Sequence, residues 1–384
     1  MLFEEKLSVL IIDDNSSFVL SLIRSFSDHK NISIYVLVSS HKKPNYYRYS
    51  RYLKQIFPMQ LTEKNFVDVV TTVALKISAD FIIPTREWIS KLLWKNKAAL
   101  EAVVRVHPVS DITTIETVND KRKLNNWLET NNFPSSRSVL LNDKDSINSV
   151  SGSLSFPVLL KPALGLGGEG IRIIETKEQL NLILTSDHLS ENDYFIQEYI
   201  NGYDIGVNIF SINGEILFHT IQKAIFSGQL TYSRGTEFVK NQELFELASS
   251  IVEKLRYTGV ANMDFRYDSK NCKFVLLDFN ARYWSTLEGS MFMGVNFPLL
   301  VTAYSLGKQI NFSDSATGTY YCTKAALQTH FRNFFLKNKM PIKFRHTRLA
   351  LIARDPLPEF IRSWEVLMDF VKMKTKRLRK SLHK

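Results

Sequence analysis

Asp264 lies in the apolar segment 261–267, and Asp278 and Asn280 lie in the next one, 274–282; the residue pattern predicts that the two segments are the strands of a hairpin. Asp278 and Asn280 are two residues apart, so they share one face of a strand, and Asp264 can project to the same side. A single acid on a strand usually faces solvent, but burying an unpaired charge within an apolar strand is costly. Carboxylate and amide oxygens are hard ligands, so these residues predict a magnesium site.

A glycine-rich segment provides a second candidate site. Lys161 ends one strand-like run, and another run begins at Ile171. Between them stand four glycines within six positions: Gly165, Gly167, Gly168 and Gly170. Glycine allows backbone N–H groups to turn toward an anion and phosphate to approach closely, although many hairpins also contain a glycine-rich turn. The segment is not a Walker loop, because no Gly-Lys-Ser/Thr follows, and not a dinucleotide fingerprint, because a strand comes next.

The elements that must position these residues begin with an alternation of strand and helix. Strand-like runs at 7–12, 32–38 and 79–84 are separated by helical stretches, and a segment near His107 closes the unit. Strand alternating with helix implies a parallel sheet that is covered on both faces. The first part of the chain is therefore predicted to be an α/β unit.

The middle of the chain combines helices with short strands. Residues 111–127 have a helical pattern, and Lys121 stands at the head of an amphipathic run. Strands are predicted at 194–200, 205–210 and 215–220. The stretch 226–237 that follows Lys223 is either a lid over a site or an ordinary surface loop.

Composition limits the class of protein. With 384 residues, 45% of them hydrophobic, the chain is long enough for two or three subdomains. Cys272 and Cys322 lie far apart, so neither a disulfide framework nor a cysteine metal site is expected. The first residues do not read as a signal peptide, and no apolar stretch is long enough to span a bilayer. We expect a protein of the reducing cytoplasm.

The positive charge is concentrated at the C-terminus. The net charge is +11, but residues 372–384 hold seven Lys or Arg and no acid, which leaves about +4 for the rest. Apolar residues before and within this tail follow helical spacing: Ile361, Trp364, Leu367, Met368, Val371 and Leu378. This amphipathic helix either packs on the body of the protein or docks at a membrane surface. Nucleic acid is the less favoured partner of such a tail.

The order of these motifs resembles the ATP-grasp superfamily, and within it the carboxylate–amine ligases, including the D-aspartate ligase and carbamoyl-phosphate-synthase-like members. The resemblance covers roughly residues 1–307. It implies an α/β fold with an N-terminal Rossmann-like pre-ATP-grasp domain at 1–110, followed by a two-subdomain ATP-grasp fold of the α+β type. The subdomains would span 111–200, with the glycine-rich loop, and 201–307, with the metal site. Residues 308–384 would form a helical C-terminal extension with a basic tail.

The resemblance implies that the nucleotide is ATP. Lys121 and Lys161 match the two lysines that hold its phosphates, and the loop 165–170 matches the flap over them. The hinge that hydrogen-bonds adenine is matched by Gln197, Glu198, Tyr199 and Ile200. Asp204 matches the acid that contacts ribose, and Lys223 is assigned to the same nucleotide site.

The metal-binding strand differs in part from the family pattern. Asp264, Asp278 and Asn280 match the magnesium ligands, with Mn²⁺ as an alternative metal. The family commonly has Glu-x-Asn-Pro-Arg where this chain reads Asp-Phe-Asn-Ala-Arg at 278–282, so one ligand is shorter by a methylene. Arg282 matches the arginine that faces the transferred phosphate and the tetrahedral intermediate. Arg282 and Lys161 are therefore the predicted catalytic residues.

Acceptor recognition is less defined. The turn after the first strand reads Asp-Asp-Asn-Ser-Ser at 13–17, where the family usually has a small or glycine-rich turn. Thr85, Arg86 and Glu87 follow the third predicted strand, a place from which substrate groups often come. These three residues are candidates for contact with the substrate.

The implied activity is ATP-dependent conversion of a carboxylate to an acyl phosphate, followed by transfer to an amine. The partners would be a small carboxylate and an amine, with amino acids favoured over purine precursors. Many relatives are homodimers, and contact of the tail with the inner face of a membrane stays open. One alternative is a non-catalytic nucleotide-binding scaffold with the same fold. A second is a nucleic-acid binder that acts through the basic tail.

Overall fold

The computed structural model describes most of the chain, namely residues 3–14, 16–39, 46–140, 154–162, 170–186, 194–225, 235–310, 317–335, 342–365 and 368. Parts of three predicted features lie outside the described residues. These are Gly165, Gly167 and Gly168 of the glycine-rich loop, residues 226–234 of the candidate lid, and the basic tail.

The described residues form strands and helices in alternation. The strands, numbered along the chain, are β1 (Leu7–Asp13), β2 (Ile32–Val38), β3 (Leu53–Pro58), β4 (Phe81–Pro84), β5 (Arg105–Val106), β6 (Ser138–Leu140), β7 (Val158–Pro162), β8 (Arg172–Ile174), β9 (Tyr194–Glu198), β10 (Gly202–Ile212), β11 (Glu215–Ile225), β12 (Gly235–Val239), β13 (Gly259–Asp268), β14 (Lys273–Asn280) and β15 (Gly318–Tyr321). The α-helices are Val19–Ser25, Phe66–Ile77, Glu87–Lys95, Lys97–Glu101, Ile112–Asn119, Lys121–Thr130, Lys177–Ser186, Gln242–Leu255, Leu287–Phe292, Phe297–Ser305, Thr323–Phe335 and Arg348–Arg354, with further helix at 357–365.

The first sheet is parallel and buried on both faces. Its strand order is β3-β2-β1-β4-β5, and β1 pairs in parallel with both β2 and β4. Val9 packs with helix Val19–Ser25, whereas its neighbour Leu10 packs with helix Phe66–Ile77 on the other side. Burial on both faces explains why β1 is an uninterrupted apolar run. The predicted parallel pairing of the three strand-like runs is confirmed.

A second, smaller sheet has the order β6-β9-β7-β8. Helix Lys177–Ser186 covers one face, where Leu180 packs with Val158 and Leu160 of β7. Because alternate residues of a strand point to opposite faces, Lys161 of β7 lies on the face opposite to this helix. Gln197 of β9 is the register partner of Leu159 and shares that face with Lys161.

The third sheet is antiparallel and has the order β14-β13-β10-β11-β12-β15. One face packs its apolar residues against helices Ile112–Asn119, Lys121–Thr130 and Gln242–Leu255. The register places a group of polar residues on the opposite face: Asp204, Asn208, Asn262, Asp264, Asp278 and Asn280. β15 lies beyond residue 307, so this sheet extends past the boundary predicted for the second ATP-grasp subdomain.

The C-terminal part of the chain is joined to the first sheet by buried charges. Arg24 of helix Val19–Ser25 is fully buried, and its Nε lies 3.4 Å from Oδ2 of Asp355. Its Nη2 also donates to the Asp355 carbonyl oxygen at 2.9 Å, and Ser50 donates to the same carboxylate at 2.8 Å. No helix among the described residues is long and apolar enough to cross a membrane.

Candidate functional site

The carboxylates of Asp264 and Asp278 lie side by side on the polar face of the third sheet. They are register partners on the adjacent strands β13 and β14, as are Asn262 and Asn280. Directly opposed side chains on antiparallel strands have Cβ atoms about 5 Å apart. A register shift follows Asp264, before Phe265, and such bulges commonly re-aim side chains at functional sites. The hairpin therefore brings the two predicted carboxylate ligands together.

The Asn280 amide links these carboxylates to Arg282. Its Nδ2 donates to Oδ2 of Asp264 at 3.2 Å, and its Oδ1 accepts a hydrogen bond from Nη2 of Arg282 at 2.9 Å. The predicted trio Asp264, Asn280 and Asp278 is thus assembled on one surface. Because the Asn280 oxygen already accepts from Arg282, metal coordination by this oxygen would share it with the guanidinium.

The electrostatics of the pair favour a bound cation. Desolvation by the surrounding protein and then the negative charge of Asp278 raise the pKa of Asp264 to about 7, although its side chain retains access to solvent. A divalent cation would relieve that repulsion, and the oxygen donors suit Mg²⁺. Within the described ranges no group of three or more His, Cys, Asp or Glu is placed to hold a metal. A magnesium site here thus depends on two carboxylates, the amide and ligands from the nucleotide.

Lys121 is positioned at the start of a helix beside the carboxylates. The Asp120 side chain caps this helix by accepting from the backbone N–H groups of Arg122 and Lys123. Nζ of Lys121 lies 3.0 Å from Oδ2 of Asp278, and both side chains are largely buried. The structure therefore brings a predicted phosphate-binding lysine onto a predicted metal-binding carboxylate.

Lys161 reaches the same region from the second sheet. Its side chain is 5% exposed, and burial lowers its pKa to about 8. The negative charge of Asp278 acts in the opposite direction, and the nearby positive charge of Lys121 lowers the pKa further. A buried ammonium without a full counter-charge is suited to binding an anion.

The hinge segment 197–200 is held in place by hydrogen bonds of its side chains and of one carbonyl group. Both carboxylate oxygens of Glu198 are bound by Arg137, at 2.9 Å from its backbone N and 3.0 Å from its Nε. The buried Gln197 amide donates to the Ser136 hydroxyl. The Ile200 carbonyl accepts from Nε of Arg266 at 2.5 Å, and the same guanidinium lies over the Tyr199 ring. A role of Glu198 in adenine binding would therefore use its backbone.

Asp204 lies in the same neighbourhood. Its carboxylate accepts from Nη1 of Arg266 at 2.6 Å and is 61% exposed. Arg266 therefore connects the hinge carbonyl to the residue predicted to contact ribose. No local pattern pointed to Arg266, because its role follows from the pairing of β13 with β10.

Lys223 and Gly170 are placed differently from the rest of the predicted set. Lys223 is the register partner of Ile205, so it lies on the face of the third sheet opposite to Asp264. Its ammonium sits 3.9 Å from the centre of the Tyr203 ring. The structure thus does not bring Lys223 to the carboxylates. Gly170 has φ of +78°, a conformation that favours glycine, next to the strand that carries Lys161.

Arg282 extends from β14 toward the first parallel sheet. Its Nε lies 2.8 Å from Oε1 of Glu87 in a largely buried ion pair, although the geometry there is not that of a hydrogen bond. Nη1 donates to the Tyr283 carbonyl at 2.9 Å, and the guanidinium lies over the Phe18 ring. Glu87 was predicted from its position after a strand, and the structure places it against the predicted catalytic arginine.

A row of buried polar side chains continues along the polar face of the third sheet from Asn262 and was not predicted. Asn262 donates to the Asn208 oxygen at 3.2 Å, and Asn208 donates to the Thr220 hydroxyl at 3.0 Å. Thr220 in turn shares a hydrogen bond of 3.1 Å with Ser290. Polar residues on alternate positions of three neighbouring strands were the available signal, but their contact depends on strand order.

Comparison with known proteins agrees with this geometry. Residues 190–323 match the family described as ATP-grasp in the biosynthetic pathway with Ter operon, and residues 120–212 match the ATP-binding domain of the carbamoyl-phosphate synthase L chain. The D-aspartate ligase of Enterococcus faecium is 22% identical over 84% of this chain and 82% of its own length. The arginine-specific carbamoyl phosphate synthase large chain of Bacillus subtilis is 23% identical over 54% of this chain. This chain spans only 21% of that synthase.

A solved structure shares the fold. The biotin carboxylase domain of Hydrogenobacter thermophilus 2-oxoglutarate carboxylase, solved with MgADP and bicarbonate, superposes with a TM-score of 0.61. The match covers 83% of this chain and 73% of that domain at 16% identity. The chain resembles the ATP-grasp superfamily over residues 120–323, the region that the two family models match between them. Within it, the chain resembles the carboxylate–amine ligases, as its similarity to D-aspartate ligase and to carbamoyl phosphate synthases shows.

Proposed function

We propose that this protein is an ATP-dependent ligase that activates a carboxylate as an acyl phosphate and joins it to an amine, releasing ADP and phosphate. The observation that supports it most is the ion pair of Lys121 with Asp278, which lies beside Asp264, together with the buried Lys161, on which the charge of Asp278 acts. The lysines come from a helix and from the second sheet, whereas the carboxylates come from the third sheet. Two ammonium groups beside two carboxylates can bind a nucleotide triphosphate together with its metal.

The first step is phosphoryl transfer. A carboxylate oxygen of the substrate attacks the γ-phosphorus of ATP, the bond to the β-phosphate oxygen breaks, and ADP leaves. Lys121 and Lys161 bind and orient the phosphate oxygens, since Lys121 is paired with Asp278 and the charge of Asp278 also acts on Lys161. Magnesium held by Asp264, Asp278 and Asn280 would supply charge neutralisation on the phosphoryl group.

The second step is acyl transfer to the amine. The amine nitrogen attacks the acyl carbon, and the bond from that carbon to the phosphate oxygen then breaks with loss of inorganic phosphate. Arg282 would donate to the oxyanion of the tetrahedral intermediate from the end of β14, the strand that also carries Asp278 and Asn280. One well-placed donor of this kind is typically worth about 3–4 kcal/mol of transition-state stabilisation.

Amino acids are the substrate class that we favour for both positions. The similarity to D-aspartate ligase covers most of this chain and most of that enzyme, and a D-aspartate ligase by its name uses an amino acid. Arg86 and Glu87 follow β4 of the first parallel sheet, and a guanidinium beside a carboxylate suits zwitterionic substrates.

The test is phosphate release from Mg-ATP by the full chain with pooled L- and D-amino acids and small carboxylic acids. Asp278→Ala serves as the inactive control, and Asp68→Ala, at a position of helix Phe66–Ile77 that faces solvent, serves as the matched active control. Release that needs one acid and one amine would establish the ligase. ATP binding without release from any pool would instead support the non-catalytic scaffold.

A specific observation favours membrane contact as a second function of the C-terminal region. Four apolar side chains at helical spacing are exposed, by 56%, 64%, 54% and 37% respectively: Leu357, Phe360, Trp364 and Met368. Trp364 and Met368 are therefore only partly covered by the rest of the protein. Seven basic residues follow in the sequence, and an apolar stripe beside basic charge suits an anionic lipid surface.

Vesicle cosedimentation tests this contact. The full chain should bind phosphatidylserine-containing vesicles more strongly than phosphatidylcholine vesicles, and Phe360→Ser with Trp364→Ser should weaken that binding. Leu75→Ser is the matched control, because Leu75 is 63% exposed on a different helix. Equal binding to both vesicle types, or no effect of the paired substitution, would argue against membrane contact.

A further inference from the structure

Glu87 connects the first parallel sheet to the predicted oxyanion site. It begins helix Glu87–Lys95, shortly after β4, so it stands at the carboxyl-end edge of the parallel strands. Oε1 of Glu87 lies 2.8 Å from Nε of Arg282, and the two side chains are 14% and 11% exposed. A substrate carbonyl bound by Arg282 would therefore lie beside the Glu87 carboxylate.

The Glu87 carboxylate retains capacity for a ligand. In the part of the chain that the structure describes, its side chain makes one ion pair, to Arg282, and no hydrogen bond. A carboxylate has four lone-pair positions, so further donors can be accepted. Arg282 is held separately, through Nη1 to the Tyr283 carbonyl and through Nη2 to Asn280. The contacts of Arg282 thus do not depend on Glu87 alone.

Neighbouring acids are already engaged. Asp13 is fully buried and accepts from Ser16, Tyr47 and Thr85. Asp14 accepts from Nε1 of Trp88 at 3.2 Å. Asp264 accepts a hydrogen bond from Asn280, and Asp278 forms an ion pair with Lys121. Among these acids in the described residues, Glu87 and Asp278 each make only an ion pair, and Glu87 is the one paired with Arg282.

The chemistry of acyl transfer requires a group of this kind. An alkyl amine is an ammonium ion at neutral pH, and it cannot attack an acyl carbon until it has lost a proton. A carboxylate beside the reacting carbonyl can attract the ammonium and can then accept the proton. Resting on the ligase function proposed above, the geometry points to Glu87 as the residue that binds the ammonium group of the amine substrate and deprotonates it.

Protons and bonds balance in this step. The ammonium transfers one proton to the Glu87 carboxylate, which becomes a carboxylic acid, and the neutral amine nitrogen forms a bond to the acyl carbon. The bond between that carbon and the phosphate oxygen breaks, and phosphate leaves with its electron pair. The remaining extra proton on nitrogen is lost to the departing phosphate, and Glu87 returns its proton to water.

Hydroxylamine as the nucleophile distinguishes deprotonation of the amine by Glu87 from formation of the acyl phosphate. It is largely neutral at neutral pH and captures an acyl phosphate as a hydroxamate without first being deprotonated. The experiment supplies the full chain with Mg-ATP and pooled amino acids, and measures both hydroxamate and amine-dependent ligation product. The variants are Glu87→Gln, Glu87→Asp and the control Glu116→Gln, which removes an exposed carboxylate paired with Lys91. Thermal unfolding of each variant shows whether it is folded.

We expect Glu87→Gln to lower amine-dependent ligation about 100-fold or more while hydroxamate formation stays within about threefold of the parent. Its remaining ligation rate should rise roughly tenfold per pH unit, because the amine must then lose its proton in solution. Glu87→Asp should retain part of the ligation with a raised KM for the amine. Equal losses in both reactions would show that Glu87 only positions Arg282, and no loss in either would also overturn the inference. Absence of hydroxamate with the parent protein would overturn the ligase proposal itself, and this inference with it.

Discussion

The ammonium of Lys121 lies 3.0 Å from a carboxylate oxygen of Asp278, although the two residues belong to a helix and to a strand that are distant in the sequence. In this arrangement the lysine neutralises one of two adjacent carboxylates. Nucleotide phosphates and magnesium would compete for the same two groups. In the proposed function, the pair would connect phosphate binding directly to metal binding.

Loss of the Asp278 carboxylate should abolish ATP turnover. Asp278→Asn keeps the size of the side chain but removes the charge that faces Lys121 and a bound metal. We expect ADP formation to fall by roughly 100-fold or more, since such charge stabilisation is worth several kcal/mol. Chelation by EDTA should abolish the activity of the parent protein, and added Mg²⁺ should restore it. Activity of Asp278→Asn equal to that of Asp68→Asn would contradict this role.

ATP binding should weaken as the pH rises through about 8. Burial lowers the pKa of Lys161 to about 8, so its ammonium is present below that pH and is lost above it. Calorimetric titration of the protein with Mg-ATP across this range measures the dissociation constant, which should increase with pH. Lys161→Met should bind more weakly at neutral pH and should lose this dependence. An unchanged pH profile in Lys161→Met would assign the titration to another group.

The same shift in pKa affects stability. The folded-state pKa of Lys161 is about 8 and its ordinary value is 10.5, so between these values the unfolded chain binds more protons than the native protein. The free energy of unfolding should therefore gain a contribution that increases with pH across that window. Urea unfolding of the parent and of Lys161→Met at several pH values measures it. The contribution should be absent from the variant.

Arg282→Lys should slow the chemistry more than it weakens ATP binding. Lysine keeps the positive charge but cannot reproduce the separate contacts of the guanidinium with Asn280, Tyr283 and Glu87. A loss of about 100- to 1000-fold in kcat is expected for removal of a donor to an oxyanion. Steady-state kinetics should show little change in the KM for ATP. A change confined to that KM would instead place Arg282 in nucleotide binding.

Removal of the Asp355 carboxylate should strongly destabilise the protein. Arg24 is fully buried, and Asp355→Ala would leave its charge with less compensation. Breaking a buried ion pair from one side costs about 3–5 kcal/mol, which denaturant unfolding can detect. Asp28→Ala is the matched control, because Asp28 is 78% exposed and binds the exposed Arg354. That control should change stability by no more than about 0.5 kcal/mol.

The sequence alone determined many of the local elements and predicted the residues of the candidate site. The uninterrupted apolar run of β1 indicated a strand buried on both faces, and alternation in 274–282 placed Asp278 and Asn280 on one side. These conclusions needed only the geometry of a single strand or of a hairpin. The order of motifs was sufficient to recognise the ATP-grasp superfamily, because the motifs occur in the family's order along the chain.

Tertiary structure decided which groups meet. The pairing of Glu87 with Arg282, of Lys121 with Asp278 and of Arg24 with Asp355 joins segments that are far apart in sequence. Strand order and sheet register also placed Lys223 on the face away from Asp264. A shift of one residue in register reverses the face of every side chain on a strand, and composition does not encode that choice locally. Contacts between sheets depend on how whole elements pack, so only the folded chain reveals them.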